Sequence, residues 1–188
     1  MQFIFIRHLP TAWNQEELLQ GQQDTDILPL DAEQQRKIAV NQHQLRQYGS
    51  FDVILTSTLK RTRQSAQHYQ INPNQIVAEP LLNELNFGHF EGKKKELLIK
   101  ELGKQWQEDP RDLILGESLV QLQQRIQQFI EKYQDYQKVL CFAHGAWLRA
   151  FISIQQHGNL STMNQFMIPN NELIVMNRFN KVSRHASK

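Results

Sequence analysis

The chain has 188 residues, is 40% hydrophobic, and sets 21 Lys+Arg against 19 Asp+Glu for a formal net charge of +2. That length suits one domain with a full core, with room for a small insertion, and the dispersed basic residues argue against a nucleic-acid partner. The lone Cys141 excludes an intramolecular disulfide and any CxxC zinc or redox pair, and the apolar start meets Arg7 too soon for a signal peptide or a membrane span, so the expectation is a soluble, cytoplasmic protein with no membrane partner.

Phe3 to Ile6 form a short continuous apolar run, the pattern of a strand buried on both faces. Residues 9 to 31 hold Pro10, Gly21 and Pro29 among many polar residues and read as a long loop with one helical turn; a loop of that length in a compact domain usually carries function. Ala32 to Tyr48 reads as a helix with Ile38, Val40 and Leu45 inward and Gly49 as its stop. Val53 to Leu55 form a second buried strand, Thr58 to Tyr69 a helix, and Gln75 to Ala78 a third strand. Pro80 to Gly92 is irregular. Lys93 to Trp106 is a helix whose Lys93-Lys94-Lys95 run reads as a solvated face. Beyond Gly116, Leu119, Leu122, Ile126, Phe129, Ile130 and Tyr133 follow the spacing of an amphipathic helix. Val139 to Phe142 is a strand, Gly145 to Gln155 a helix, Glu172 to Met176 a late strand, and the tail after Phe179 is polar and frayed. Strands alternating with helices predict an α/β fold, a three-layer α/β/α sandwich on a mostly parallel sheet. The whole of 1–188 reads as a single domain, with the non-alternating part, about 80–115, as a small lid insertion.

Three strand ends run at once into polar residues: Arg7-His8, then Thr56-Ser57 with Arg61 a turn later, then Ala143-His144-Gly145. Ligands in open α/β sheets bind beyond the carboxyl ends of strands. Two guanidiniums offer fixed charge and forked donors matched to phosphate oxygens. Two imidazoles beside them add a nucleophile to a pocket for a dianion. Rival chemistries lack their spacing. Trp147, not arginine, stands at the position that a Cys-x5-Arg loop requires after Cys141, the residues around Gly88 to Lys94 lack Gly-x4-Gly-Lys-Ser/Thr, and no Gly-x-Ser-x-Gly is present.

The sequence resembles the histidine phosphatase superfamily, which includes the cofactor-dependent phosphoglycerate mutases. The likeness rests on Arg7-His8-Leu9-Pro10-Thr11-Ala12-Trp13-Asn14, on Gln20-Gly21 with Asp24, on Ser57-x-x-x-Arg61-x-x-Gln64-Ser65-Ala66, on Glu84-x-x-Phe87-Gly88-x-Phe90-Glu91-Gly92, and on Gly116-Glu117-Ser118 and Ala143-His144-Gly145. It runs in order from residue 3 to about 178. The resemblance implies that His8 is the nucleophile, that Arg7, Arg61 and His144 clamp the phosphate, and that Glu84 gives a proton to the leaving oxygen. It also implies phosphate or substrate contacts from Asn14, Gln20, Gly21 and Gly145. No metal and no cofactor are needed, because the arginines stabilise the equatorial oxygens. His8 must hold one nitrogen unprotonated, which predicts that its other nitrogen donates to a backbone carbonyl. The family's Gly after the histidine is Leu9 here, which predicts added bulk beside the pocket.

A phosphomonoester phosphatase acting on a small phosphorylated metabolite is the expected function; a phosphoglycerate-mutase-type transferase and a non-catalytic phosphate-binding module are the alternatives. Leu82-Asn83-Glu84, Phe87-Gly88 and Gly116-Glu117-Ser118 are similar to the alpha-ribazole phosphatases among the small hydrolases. Substrate choice is assigned to Phe87, Phe90, Trp106 and Asn170-Asn171. Glu91 reads as structural, and His43, His68, His89, His157 and His185 as surface residues. A homodimer is the commonest assembly for such a chain.

Overall fold

A computed structural model describes residues 1–177. The expected tail after Phe179, with His185, lies outside them. The elements are β1 (Gln2–Arg7), α1 (Ala12–Gln15), α2 (Ala32–Gln47), β2 (Val53–Thr56), α3 (Lys60–Gln67), β3 (Ile76–Ala78), α4 (Lys95–Glu108), α5 (Leu119–Lys132), β4 (Lys138–Ala143), α6 (Gly145–His157) and β5 (Leu173–Asn177), with three short 3-10 turns between β2 and α4.

The five strands form one sheet in the order β3-β2-β4-β1-β5. β4 runs parallel to both β1 and β2, β3 parallel to β2, and only β5 is antiparallel, at the edge beside β1. Because side chains alternate across a strand, the apolar runs split between two cores. Phe3, Phe5, Leu55, Val139 and Cys141 face α5, α6 and the segment before α4. Ile4, Ile6, Ile54, Leu140 and Phe142 face α2 and α3. Both sheet faces are covered, which gives the expected three layers and explains why β1 and β4 show no polar alternation.

The first core is aromatic. Phe5 and Phe151 meet at 4.8 Å between ring centroids, and Phe129 stands edge-on to Trp147 at 5.3 Å. Such edge-to-face pairs add about 0.5–1.5 kcal/mol each beyond area burial. α5 begins at a Ser118–Gln121 capping box and buries Leu119, Leu122, Ile126 and Phe129. α2 starts at the Asp31 cap and buries Ile38 and Leu45 as expected. Val40 does not point inward; it is 57% exposed, and Asn41 takes the buried position, bonding to the Tyr69 hydroxyl at 2.8 Å. Residue 41 is one turn from both 38 and 45, so the helix face passes through it rather than through 40.

The register fixes the site. Arg7 pairs with Ala143, and Thr56 with Phe142, so the carboxyl ends of β2, β4 and β1 lie side by side at one level. β4, last of the three in the chain, is laid between the other two. The long loop after β1 folds over this rim and is stitched to the start of α4: Leu19 N–H donates to Lys93 O, Gly92 N–H to Leu19 O, and Lys95 N–H to Glu17 O.

Candidate active site

A cavity of about 300 Å³ opens over that rim. Arg7 and His8 reach it from β1, Asn14, Gln20 and Gly21 from the loop, Arg61 from α3, Glu84 and Phe87 from the segment before α4, and Gly145 from the start of α6. Each of these was singled out from the sequence, and the structure brings them together.

His8 is buried, and its Nδ1 lies 2.7 Å from the Leu9 carbonyl oxygen. A carbonyl only accepts, so Nδ1 carries the proton and Nε2 keeps its lone pair. Burial, then the charges of Arg61 and Arg7, hold the imidazole well below its usual pKa of 6.5. The ring is therefore neutral at pH 7 with Nε2 available to attack.

Arg61 is oriented by acceptors that the loop supplies. Its Nη2 donates to Gly21 O at 2.6 Å, its Nη1 to Gln23 O at 2.7 Å and its Nε to His144 Nδ1 at 3.2 Å. Gly21 adopts φ +52°, and a Cβ there would fall 1.9 Å from Glu91 Oε1, so glycine is required to place this carbonyl. Glu91 is structural, as expected; its Oε1 accepts from Gln22 N–H and Phe87 N–H. Arg7 Nη1 donates to the Ile168 carbonyl, while its buried Nε has no partner among the described residues. Burial pushes both guanidiniums down to about 10, against the raising effect of Glu84, and they remain cations at neutral pH.

Asn14 completes the donor set. Its Oδ1 accepts from Thr11 N–H, Thr11 Oγ1 and Asn170 Nδ2. The amide is thereby fixed with Nδ2 unpartnered among the described residues, free to donate into the cavity. Glu84 is the only carboxylate lining the cavity among the described residues. Its Oε1 accepts from Leu85 N–H and Trp147 N–H at 2.9 Å, and its Oε2 from Ala146 N–H at 3.0 Å. It thus satisfies backbone N–H groups of the first turn of α6.

His144 sits differently from the reading that placed it on the phosphate. It does not line the cavity but packs behind it, its ring 5.4 Å from that of His8. Nδ1 accepts from Arg61, so Nε2 carries the proton and donates to Ser57 Oγ at 2.7 Å. Burial and Arg61 keep it neutral. In this arrangement its ring nitrogens are both engaged, one by Arg61 and one by Ser57.

Leu9 is likewise not beside the pocket. Its side chain is fully buried in the core between the sheet and α2 and α3, and its N–H donates to Ser65 Oγ at 2.8 Å. Of the residues assigned to substrate choice, Phe87 and Trp106 line the cavity, with rings 6.0 Å apart. Phe90 and Asn171 are instead buried in the structure, and Asn170 reaches the site only through Asn14 and the His8 carbonyl. Lys95 is not part of a solvated face; it turns into the cavity. His43, His68, His89 and His157 are exposed. Cys141 is buried with its thiol pushed well up, away from any nucleophilic role.

Sequence reasoning missed Arg149, which lines the cavity one turn after Gly145; the i, i+4 spacing on a helix that starts at the rim was the available signal. It also missed Arg125 on α5. Arg125 Nη1 donates to Leu81 O at 2.9 Å and Asn83 O at 2.7 Å, and Nη2 to Glu117 Oε1 at 2.7 Å. Glu117 Oε1 in turn accepts from Asn86 N–H, so the two side chains clasp the backbone on both sides of Glu84.

A neutral imidazole flanked by fixed guanidiniums at the carboxyl rim of an α/β sheet defines a site for a tetrahedral oxyanion next to a nitrogen nucleophile. The chain belongs to the histidine phosphatase superfamily (branch 1), whose family model matches residues 3–184. It is 31% identical over 164 residues to the adenosylcobalamin/alpha-ribazole phosphatase of Escherichia coli K12, covering 81% of this chain and 78% of that protein. It is 29% identical over 159 residues to a Hydrogenobacter thermophilus protein named "Putative phosphoserine phosphatase 2", covering 79% of this chain and 75% of that one. Among solved structures, the alpha-ribazole phosphatase from Shigella flexneri superposes with a TM-score of 0.74 at 27% identity, over 96% of this chain and 92% of that one. No helix among the described residues is long and apolar enough to cross a membrane, and no cluster of three or more His, Cys, Asp or Glu there is arranged for a metal.

Proposed function

We propose that the protein hydrolyses small phosphomonoesters through a phosphohistidine on His8. The observation that carries this is the Leu9 carbonyl fixing the His8 tautomer, with Nε2 unpartnered among the described residues in a cavity that Arg7 and Arg61 also line. The Nε2 lone pair attacks phosphorus in line, the N–P bond forms, and the ester P–O bond breaks. Glu84 in its acid form gives its proton to the leaving oxygen. Arg7, Arg61 and the Asn14 amide stabilise charge on the equatorial oxygens. Water then attacks phosphohistidine, Glu84 takes the water's proton, the N–P bond breaks, and inorganic phosphate leaves.

Leu9, the departure from the family motif, is buried in the core and lends no support to a non-catalytic binding module. The alpha-ribazole 5'-phosphate assignment is supported by the named relatives and by the aromatic side chains of Phe87 and Trp106 in the cavity lining. A panel of phosphomonoesters read by phosphate release tests the reaction. Wild type releases phosphate and forms an acid-labile phosphoenzyme, and His8→Ala does neither. A fully active His8→Ala overturns the mechanism, and isomer exchange of phosphoglycerates faster than phosphate release replaces it with a mutase.

A further inference from the structure

β1 and β5 pair as far as Ile6 and Leu173, so Arg7 and His8 stand beyond the last rung of that ladder. Their backbone polar groups must find partners elsewhere. The turn before β5 supplies them. Arg7 N–H donates to Glu172 O at 3.1 Å, and Asn171 N–H is shared between Arg7 O at 3.0 Å and His8 O at 3.3 Å. Asn170 Nδ2 donates to His8 O at 2.9 Å and to Asn14 Oδ1 at 3.2 Å.

The His8–Leu9 peptide is gripped at both ends. Its carbonyl oxygen takes the bonds from Asn170 and Asn171, and its N–H donates to Ser65 Oγ at 2.8 Å. Pro10 restricts the next torsion, because its ring disfavours the helical region for Leu9. The Leu9 carbonyl that fixes the His8 imidazole therefore depends on a peptide plane that the turn at 170–171 holds.

A buried polar cluster holds that turn in place. Asn171 is fully buried at φ +59°, a left-handed conformation that asparagine tolerates better than most residues. Asn41 Nδ2 donates to Asn171 O at 2.9 Å and to the Tyr69 hydroxyl at 2.8 Å. The hydroxyl accepts there, so its one proton goes to Asn171 Oδ1. Asn171 Nδ2 then donates to Gln34 Oε1 at 3.2 Å. Each bond has one direction, and each side chain one orientation. Burial pushes the Tyr69 hydroxyl up to about 12, so its proton stays in place at neutral pH. Tyr69 shares its core with Ile38, Leu45 and Phe142. Apolar side chains of similar volume would fill that space without desolvating polar groups; what the cluster adds is directed bonds.

We infer that Asn171, backed by Tyr69 and Asn41, is a positioning residue for the reaction: it holds the His8 backbone so that the imidazole meets phosphorus in line. This rests on His8 being the nucleophile. None of the three lines the cavity, so they act through the backbone of residues 7–9.

The test uses Tyr69→Phe, which deletes one hydroxyl, and Asn171→Gly, which keeps the left-handed turn and its N–H but loses the side-chain bonds. Leu45→Ala opens the same core without touching the cluster and is the control for stability. Phosphoenzyme formation from p-nitrophenyl phosphate, followed by rapid quench, is expected to slow about 10-fold in Tyr69→Phe and further in Asn171→Gly. KM is expected to stay within about two-fold, since the arginines still bind the phosphate. Leu45→Ala is expected to keep the wild-type rate. In ligand-free protein carrying nitrogen-15 histidine, the His8 ring is expected to move from the Nδ1-protonated form towards a mixture of tautomers in both cluster variants. A wild-type rate in folded Tyr69→Phe overturns the proposal, as does an unchanged His8 tautomer or an equal slowing in Leu45→Ala. If Asn171→Gly fails to fold, Tyr69→Phe alone decides. Wild type that forms no phosphoenzyme overturns the assignment of His8 and the positioning role with it, an outcome distinct from variants that match an active wild type.

Discussion

At the residue scale, the position that departs from the family pattern does its work in the core. Leu9 is fully buried among Ile6, Ile38 and Phe142, while its carbonyl, not its side chain, serves His8. Leu9→Ala is expected to cost about 2–5 kcal/mol of stability by leaving a cavity, read as a lower urea midpoint at unchanged m-value; a loss below about 0.5 kcal/mol would contradict the packing. Gly145 has the opposite constraint. A Cβ there would stand 3.2 Å from Cζ and Nε of Arg7, so the guanidinium would have to shift to make room for it. Gly145→Ala should therefore displace Arg7 and reduce kcat/KM about 10- to 100-fold, in line with the loss of one charged transition-state contact, with the urea midpoint showing whether the fold itself is spared.

At the element scale, Glu84 sits on irregular chain, and such chain needs tethers to hold a proton donor in place. Two side chains on neighbouring elements supply them. Arg125 bonds the carbonyls of Leu81 and Asn83, and Glu117 holds the Asn86 N–H and pairs with Arg125 at 2.7 Å. Arg125→Met removes this donor from both carbonyls, leaving Leu81 O only its bond from Trp147 Nε1–H, and is expected to loosen Glu84. The readout is leaving-group dependence. Hydrolysis of an alkyl phosphate, which needs protonation of its oxygen, should fall about 10-fold further than that of p-nitrophenyl phosphate, whose leaving group does not, because general-acid catalysis is worth about 10²–10⁴. Equal losses on the two substrates would assign Arg125 a purely structural role.

At the scale of the whole molecule, the two cores share one sheet, so 1–177 is expected to unfold as one cooperative unit, with near- and far-UV signals coincident. Its stability carries a pH signature from the site. His8 and His144 are held well below 6.5 in the folded state by burial and by Arg61, so below pH 6.5 the unfolded chain binds protons that the folded chain refuses. Their contribution is complete above pH 6.5 and is lost as pH falls, by up to about 1.4 kcal/mol per pH unit for each ring. Urea midpoints should drop between pH 7.5 and 5, and less steeply in His144→Gln; a midpoint constant over that range would show that the imidazoles are solvated.

The amino-acid order determined the element types, the three layers and the set of chemical groups, because buried strands, amphipathic helices and strand-end motifs are local patterns. Phe3 to Ile6 could only be satisfied with both faces covered, and Arg7, His8, Arg61, Glu84 and Gly145 each lie inside a recognisable motif. What those patterns do not contain is register and facing across distant segments. Inserting β4 between β2 and β1 set three motifs at one rim, and stitching the loop at residues 17–19 to residues 92–95 turned Lys95 inward from a run that reads as solvated. The same long-range packing sent Leu9, Phe90 and Asn171 into the interior and placed His144 behind Arg61. A side chain's direction depends on which face its element buries, and that is decided only when the elements dock.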